Sequence, residues 1–164
     1  MKSYTDFITN MNRILLVLLF LLLTLVFFCC SNDYKTDLGG GYYLDTYNGM
    51  NQSFICEQSG AGVITMAIID YAYDSVFIVV AQRPWDSVPE VKSVQYGQTR
   101  IFNKSSFVQY WIINKREERI FHYDPIAQRG YRENVYGPFK RKEYLEKRVE
   151  LGVADSLKLP KYDF

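Results

Sequence analysis

The sequence predicts an α+β fold, in which an antiparallel β-meander sheet of five or six strands carries one C-terminal amphipathic helix packed on it. Runs rich in β-branched and aromatic residues recur through residues 42–123 and are typical of strands. Short turn signals separate these runs, which favours antiparallel pairing between neighbours. Only after Gly137-Pro138 does the apolar spacing become helical, and Pro138 fits the first turn of a helix.

Each strand candidate begins and ends next to turn residues or charged residues. The candidates are Tyr42–Thr46, Ser53–Cys56, Val63–Tyr73, Val76–Gln82, Phe107–Asn114 and Arg119–Tyr123. Val63–Tyr73 and Val76–Gln82 are apolar on both faces, so we expect them in the centre of the sheet, covered by the helix on at least one side. The charged turn at residues 115–118 predicts that the last two candidates pair with each other.

The helix is expected over Phe139–Leu151, where Tyr144, Arg148 and Leu151 share one face at i, i+4 and i+7. Gly152 follows as a natural terminator, because glycine readily adopts the left-handed conformation that ends helices. Acidic residues interleave with the basic ones along this helix. Its charged face is therefore predicted to be solvated rather than to bind an anionic partner.

Residues 1–29 have the layout of a bacterial lipoprotein signal peptide. A net positive start precedes the apolar run Ile14–Phe28, which contains a single polar residue, Thr24. That run has 15 residues, whereas a membrane-spanning helix needs about 20. The composition becomes polar directly after Cys29 and Cys30. We therefore expect cleavage, acylation of a cysteine with palmitate among the acyl groups, and residence in the cell envelope on the periplasmic or surface face of a membrane.

Cys30 is the predicted lipid attachment site, because the small Cys29 precedes it, as lipoprotein processing requires, whereas the bulky Phe28 precedes Cys29. Two alternatives stay open: acylation of Cys29, and an uncleaved apolar segment that serves as a single-pass membrane anchor. With Cys30 acylated, Cys56 has no partner for an intramolecular disulfide and is predicted to be a buried thiol. With Cys29 acylated, a Cys30–Cys56 disulfide becomes feasible.

The chain is predicted to contain one folded domain. Residues 1–29 form the signal peptide, residues 30–41 a lipidated N-terminus and flexible tether that ends in three glycines, and residues 42–164 a single α+β domain. Such a tether reaches roughly 18 Å when it is fully flexible, so we expect the domain to stay near the membrane surface.

Residues 30–164 carry 17 basic and 17 acidic side chains and therefore no net charge. This balance argues against a nucleic-acid partner, which usually requires a basic excess, and it leaves membrane attachment to the N-terminal acyl groups. The sequence contains no phosphate loop, no dinucleotide-type glycine pattern and no cysteines spaced for zinc. No cofactor and no metal site is therefore predicted.

His122 is the single histidine of the chain and hence the single candidate for imidazole catalysis. A Ser-His-Asp set with Asp124 and either Ser105 or Ser106 can be drawn, but no nucleophile-elbow pattern accompanies it. We therefore predict no catalytic residue, with an envelope hydrolase that uses His122 as the alternative.

Residues 83–106 form a long connection between two strand candidates, and connections of this length are usually functional or contain further secondary structure. Trp85, Tyr96 and Phe102 are the candidate binding residues of this loop, for a protein or a glycan of the envelope. The alternative is that Trp85 folds back on the core and that part of the segment forms a further element.

Several motifs occur in a fixed order along the chain: DLGGGYY from Asp37, YWIIN from Tyr110, VYGPF from Val135 and EYLEKRVELGV from Glu143. This set resembles a family of small bacterial lipoproteins and secreted proteins that is classified as a domain of unknown function. The resemblance covers about residues 34–160 and implies no activity and no catalytic residue. The chain departs from the family pattern at Asn114, where aspartate is common, and in residues 124–134, which resemble an insertion.

The predicted function is that of a lipid-anchored cell-envelope protein that acts as a non-enzymatic interaction, accessory or inhibitor-type module. The predicted anchor, the balanced charge, the aromatic connection at residues 83–106 and the lack of a catalytic motif support this prediction. An envelope hydrolase and an uncleaved, single-helix structural protein are the alternatives.

Overall fold

The structure is a computed structural model that describes residues 15–17, 34–47, 52–88, 98–126 and 129–162. The chain divides into two compact units, Met1–Ser31 and Asn32–Phe164. Residues 15–17 are helical, and no helix within the described ranges is both long enough and apolar enough to cross a membrane. Cys29 and Cys30, with the predicted cleavage site between them, lie outside the described residues.

The described part of the second unit contains ten strands and two helices. The strands are β1 (Tyr34–Gly39), β2 (Tyr42–Thr46), β3 (Ser53–Glu57), β4 (Gly62–Ile64), β5 (Ile68–Tyr73), β6 (Phe77–Gln82), β7 (Gln109–Asn114), β8 (Phe121–Asp124), β9 (Arg129–Arg132) and β10 (Val135–Phe139). The helices are α1 (Gln98–Lys104) and α2 (Arg141–Leu151), and a single 3-10 turn spans Trp85–Ser87.

The strands form three antiparallel sheets rather than one meander. The first sheet has the order β1-β2-β3-β4, the second has the order β10-β7-β6-β5, and β8 and β9 form a separate hairpin. The predicted class, antiparallel sheet with a C-terminal helix, is confirmed. The strands are more numerous than the five or six predicted, and they divide between sheets.

The stretch Val63–Tyr73, predicted as one central strand, divides into two edge strands. Its two parts, β4 and β5, lie at the edges of the first and the second sheet. The chain changes sheet between them, where the side-chain amide of Gln82 donates to the carbonyl oxygen of Thr65 at 2.8 Å. No glycine, proline or charged residue occurs in this crossing, residues 65–67, so the sequence pattern conceals it. The prediction for Val76–Gln82 is right, since every residue of β6 is buried inside the second sheet.

The predicted pairing of Arg119–Tyr123 with the preceding strand is wrong. β8 pairs instead with β9, in a register that places His122 opposite Tyr131. β9 comes from the segment that resembles an insertion, and β10 takes the position beside β7. Pro138 therefore lies in a strand and not in the first turn of the helix, which begins at Arg141.

Residues 34–41 do not form part of a flexible tether, contrary to the prediction for residues 30–41. β1 pairs with β2 along its length and buries Leu38 completely. The glycines at positions 39, 40 and 41 have φ angles of 77°, 61° and 74°, which close the tight connection between the two strands. These glycines therefore make a hairpin turn, because an apolar residue before them is drawn into the core.

Two apolar cores lie on the two faces of the second sheet. The first core joins this sheet to the first sheet and contains Leu38, Tyr42, Leu44, Ile55, Ile64, Ile68, Ile78, Val80 and Ile113. The second core contains Phe77, Val79, Ala81, Tyr110, Ile112, Tyr144, Val153, Leu157 and Leu159. Successive residues of β6 alternate between the two cores, which explains why this strand is apolar on both faces.

The α2 helix buries Tyr144 and Arg148, two of the residues on its predicted apolar face. The Tyr144 ring stacks on Tyr110 of β7, with 4.8 Å between the ring centroids. Arg148 donates to the carbonyl oxygen of Leu157 at 2.7 Å and so holds the C-terminal segment beside the helix. Gly152 ends the helix in the left-handed conformation, as predicted.

Candidate interaction site

A cleft of about 400 Å³ opens where the β8–β9 hairpin meets outer strands of both larger sheets. β4 is an outer strand of the first sheet and β10 an outer strand of the second. We call this cavity the aromatic cleft. Its lining residues are Gly62, Val63, Trp111, Phe121, Tyr123, Gly130, Tyr131, Arg132, Val135 and Gly137. Its volume falls within the range of typical binding pockets.

Large apolar side chains of the hairpin are exposed around the aromatic cleft. Phe121 is 59% exposed, Tyr123 is 61% exposed and Tyr131 is 51% exposed. Ile126, in the connection between β8 and β9, is 95% exposed. Full burial of a large apolar side chain is worth roughly 1.5–3 kcal/mol. A group of such side chains left in water therefore marks an interaction surface.

Two glycines allow aromatic rings to lie directly on the backbone of the cleft. The Phe121 ring covers Gly130, and a Cβ at that position would overlap the ring. Gly137 has a φ of +135°, and a Cβ there would come within 2.8 Å of the Trp111 ring and of the Tyr110 carbonyl oxygen. The rings can take these positions only because the two residues lack side chains.

Hydrogen bonds fix the Trp111 ring in the wall of the cleft. Its indole Nε1 donates to Gln82 Oε1 at 2.6 Å, and Gln82 Nε2 donates in turn to the Thr65 carbonyl oxygen at 2.8 Å. Gln82 is itself buried. Trp111 is thus held in place before any partner arrives, which lowers the entropy lost on binding.

An ion pair attaches the hairpin to the first sheet. Arg132 Nε donates to Glu57 Oε1 at 2.8 Å, and Arg132 Nη2 donates to Oε2 at 3.0 Å, in a bidentate arrangement. The two side chains are only 12% and 17% exposed, so water screens the pair weakly. The guanidinium also lies 5.6 Å from the centre of the Phe121 ring. The ion pair therefore helps to position an aromatic side chain of the cleft.

Tyr136 connects β10 to the turn that follows β7. Its hydroxyl donates to Glu117 Oε2 at 2.6 Å, and Asn114 Nδ2 donates to Glu117 Oε1 at 2.8 Å. Burial, together with the Glu117 carboxylate, raises the pKa of Tyr136 to about 12. These bonds support the outer strand whose Val135 and Gly137 line the cleft. An aspartate at position 114 could not donate the second bond.

His122 lies on the hairpin but does not line the aromatic cleft. Its Nε2 contacts Glu133 Oε1 at 2.8 Å, and its ring stacks on Tyr131 at 5.2 Å. The Asp124 carboxylate accepts a hydrogen bond from the backbone N–H of Ile126 at 2.8 Å, which shapes the turn. The contacts of His122 suit a cross-strand pair that stabilises the hairpin.

Cys56 is a buried free thiol, as predicted. Burial raises the pKa of this thiol, although the positive charge of Lys35 offsets part of the rise. A thiol with a raised pKa is a poor nucleophile at neutral pH. Within the described ranges, no group of three or more His, Cys, Asp or Glu side chains could hold a metal ion.

Three binding residues are predicted in the long connection, residues 83–106. The structure brings two of them, Trp85 and Phe102, into contact, and it buries Phe102. Phe102 is 1% exposed and packs with Ala67 and Val88 in a third, small core. Trp85 is 42% exposed and lies on Phe102, with 4.6 Å between the ring centroids. Tyr96 lies outside the described residues. Because α1 forms in this connection, the Phe102 side chain is buried in this small core and cannot contact a partner.

Sequence reasoning does not single out the hairpin as a site. Phe121 and Tyr123 alternate with polar residues, as in an ordinary half-buried strand. A usable signal is that aromatic residues stand on both sides of one short connection, with Tyr131 on the far side. Such a hairpin has more apolar surface than it can bury within itself.

Residues 39–163 match the sequence profile of one protein family, described as protein of unknown function (DUF3997). This match confirms the predicted resemblance to a domain of unknown function. No curated protein and no solved structure matches the chain significantly. These comparisons therefore assign no ligand, activity or partner to this chain, and the chemistry of its own surface is the basis for inferring a function.

Proposed function

Because the chain belongs to the family of proteins of unknown function (DUF3997), we propose its function from its own chemistry. We propose that it is a lipid-anchored, non-enzymatic interaction module of the bacterial cell envelope and that it binds a protein partner through the aromatic cleft. The exposure of Phe121, Tyr123 and Tyr131 around a preformed cavity carries this proposal.

The residue types at the aromatic cleft favour a protein partner. Tyrosine, tryptophan and arginine are enriched among the residues that contribute most to protein–protein binding energy. The cleft contains all three types, and Trp111 and Arg132 are each held by hydrogen bonds within the domain. Fixed side chains lose little conformational entropy on binding, which favours affinity from a small surface.

Two outer strands beside the cleft favour an extended segment of the partner. β4 and β10 each occupy an outer position in their sheets, so a further strand can pair with either one. Val63 and Val135 would contact the side chains of such a strand. An oligosaccharide could stack on the same rings but would not use the sheet edges, so we assign a protein and treat a glycan as the competing outcome.

The charge balance favours recognition by shape and apolar contact. Charged partners associate through long-range attraction between surfaces of opposite sign. Here the 17 basic and 17 acidic side chains of residues 30–164 cancel, and Glu57 neutralises Arg132 at the cleft itself. The partner is therefore expected to present an apolar segment rather than a strongly charged one.

Acylation of Cys30 would hold this module in the membrane. Each buried CH₂ group of an acyl chain contributes about 0.8 kcal/mol, and two chains already give stable anchoring. The apolar run Ile14–Phe28 and the polar sequence after Cys30 support this attachment. Acylation of Cys29 and an uncleaved anchor are the competing outcomes.

A pair of matched variants tests the cleft. The full-length, acylated protein is crosslinked in intact envelopes, extracted with detergent and purified with whatever is bound. Phe121→Ala/Tyr123→Ala should lower recovery of the crosslinked partner by at least about tenfold, the factor that corresponds to 1.4 kcal/mol. Val149→Ala should leave recovery unchanged, since this 83% exposed side chain of α2 lies outside the cleft.

Two results would contradict the assignment of a protein partner. One is equal recovery with the cleft variant and the Val149→Ala control. The other is that recovery disappears after enzymatic removal of glycans from the envelope, which would assign the cleft to a carbohydrate.

Metabolic labelling with an alkyne-bearing palmitate tests the anchor. Cys30→Ala should abolish labelling, whereas Cys29→Ala should retain it. The reverse pattern would assign acylation to Cys29. An unlabelled chain whose mass still includes residues 1–29 would show that the segment stays as an uncleaved anchor.

A further inference from the structure

We infer that the end of the first sheet that carries Tyr34, Tyr47 and Phe54 rests on the lipid headgroups of the membrane in which Cys30 is anchored. We call this end the membrane edge. The inference rests on the proposed acylation of Cys30, and it adds an orientation: the aromatic cleft faces away from the membrane.

The chain between the anchor and the first strand is very short. Only residues 31–33 separate Cys30 from Tyr34, the first residue of β1. Since consecutive Cα atoms are 3.8 Å apart, Tyr34 can lie at most roughly 15 Å from Cys30. A lipid-modified cysteine lies among the headgroups, in an interfacial layer roughly 5–8 Å thick in each leaflet. Because β1 is a paired strand, this short link keeps an end of the sheet within about 15 Å of the lipid-modified cysteine.

Strand register places three aromatic residues at this end of the sheet. Tyr34 pairs with Thr46 of β2, and Thr46 pairs with Ser53 of β3. Tyr47 and Phe54 directly follow the latter two residues, and their rings stack with 5.9 Å between the centroids. Tyr34 is 52% exposed and Tyr47 is 42% exposed. The sheet end nearest the anchor therefore presents aromatic surface to its surroundings.

The chemistry of the membrane edge fits a lipid headgroup layer. Tyrosine has an apolar ring and a polar hydroxyl, and it is enriched at membrane–water interfaces for this reason. The charges at this edge are balanced, since Lys35 and Asp45 occupy paired positions on β1 and β2. The Lys35 ammonium also lies 4.6 Å from the centre of the Tyr43 ring. Amphipathic rings without net charge favour zwitterionic lipid over a charged partner.

Between Tyr34 of the membrane edge and Tyr71 of β5 in the second sheet, both described residues, there is no cavity large enough to hold a ligand. These two tyrosines line a crevice of only about 10 Å³ together with Thr46 and Ser53, less than one water molecule needs. Ser53 Oγ closes it by donating to the Ile68 carbonyl oxygen at 2.9 Å. The exposed rings therefore offer a flat contact, as a membrane surface requires.

The aromatic cleft lies at the opposite end of the same sheet. Tyr42, at the start of β2, pairs with Glu57 at the end of β3, and Glu57 holds Arg132 of the hairpin. β2 contains five residues, so its ends are about 13 Å apart at about 3.3 Å per residue. A domain that rests on its membrane edge therefore turns the cleft toward the aqueous side, where a partner can reach it.

Site-directed spin labelling tests this orientation with the full-length, acylated protein in phosphatidylcholine vesicles. One nitroxide is attached through Tyr47→Cys and the control nitroxide through Tyr73→Cys, both in a Cys56→Ala background. Tyr73 is a matched control, because it is 45% exposed against 42% for Tyr47. It lies 5.7 Å from Lys115, whose ammonium donates to the Leu38 carbonyl oxygen near the far end of β1.

The measurement is the accessibility of each nitroxide to a water-soluble nickel chelate and to lipid-soluble oxygen. The nitroxide at position 47 should be several-fold less accessible to the chelate than the one at position 73, and more accessible to oxygen. Equal accessibility at both positions overturns the orientation, while an acylated Cys30 in the mass spectrum of the same sample leaves the proposed anchor intact. An unacylated Cys30 overturns both. Dipolar broadening between nitroxides at position 47 overturns the orientation by showing that a second copy covers this edge.

Discussion

The two ends of the first sheet present similar aromatic side chains in different physical settings. At the membrane edge, Tyr34 belongs to a paired strand and borders a crevice too small for a ligand, and Tyr47 directly follows β2. At the cleft, Phe121 lies on the bare backbone of Gly130 and beside a shielded ion pair, around a cavity of about 400 Å³. We therefore propose two different uses for this exposed aromatic surface. A fixed cavity indicates a specific partner, and closeness to the anchor indicates a lipid surface.

The largest effect is expected at the backbone of the cleft. Gly137→Ala should lower the free energy of unfolding by about 3 kcal/mol, because its φ is +135° and a Cβ would come within 2.8 Å of the Trp111 ring and of a carbonyl oxygen. Gly62→Ala in the same cleft should change it by less than about 1 kcal/mol, since no atom lies within 4 Å of its Cβ. Urea unfolding measures both variants, and equal losses would contradict a special role for ring contact at Gly137.

The second-largest effect on stability is expected at the ion pair that joins the hairpin to the first sheet. Arg132→Ala should lower the free energy of unfolding by about 2 kcal/mol, because it leaves a shielded carboxylate without its charged donor. Glu133→Gln is the matched control on the same hairpin. It removes the negative charge that faces His122, where the His122 side chain is 39% and the Glu133 side chain 52% exposed, and should cost less than about 1 kcal/mol. If both variants lose the same stability, the shielded pair does not set the position of the hairpin.

Alkaline pH should weaken the side of the cleft that β10 forms. The pKa of Tyr136 is raised from 10.0 to about 12, so the folded protein keeps this proton where the unfolded chain has lost it. Its contribution to stability is present below pH 10.0 and is lost as the pH rises through about 12. A phenolate absorbance titration should show a late-titrating component that decreases by one tyrosine in Tyr136→Phe.

Glu117→Gln provides the control for this titration. It removes the carboxylate that disfavours the phenolate and should shift the pKa of Tyr136 back toward its ordinary value. An unchanged pKa in this variant would assign the whole shift to burial and leave the hydrogen bond to Glu117 without an electrostatic role.

The smallest effect on folding is expected for exposed tyrosines, and these variants separate the two ends by function. Tyr34→Ser and Tyr123→Ser should each change the free energy of unfolding by less than about 0.5 kcal/mol, because both side chains are more than half exposed. Only Tyr123→Ser should lower recovery of the crosslinked partner. A similar loss with Tyr34→Ser would show that the two ends do not act independently.

Local patterns predicted the elements that depend on nearby residues. β2, β3 and β6 lie where the apolar runs indicate, and α2 begins two residues inside its predicted bounds and ends at Gly152 as expected. Helical and strand periodicity, and the tolerance of glycine for left-handed backbone, act over a few residues, so a single stretch of sequence contains the required information.

The candidate site could not be predicted in the same way, as two phenylalanines illustrate. Phe102 is a predicted binding residue, yet α1 places it against Ala67 and Val88 in a small core. Phe121 belongs to an ordinary strand pattern, yet it is 59% exposed at the cleft. The difference arises from which distant elements cover each side chain, and short stretches of sequence do not contain that information.

The sequence by itself determined β2, β3, β6 and most of α2, the charge balance, the buried thiol of Cys56 and the membership of a family of unknown function. Only the tertiary structure decided how the strands divide into two four-stranded sheets and a hairpin, that β8 pairs with β9, and that aromatic rings lie directly on Gly130 and Gly137. Propensity and periodicity act between neighbours in the chain, whereas the exposure of a side chain depends on contacts between residues far apart in sequence.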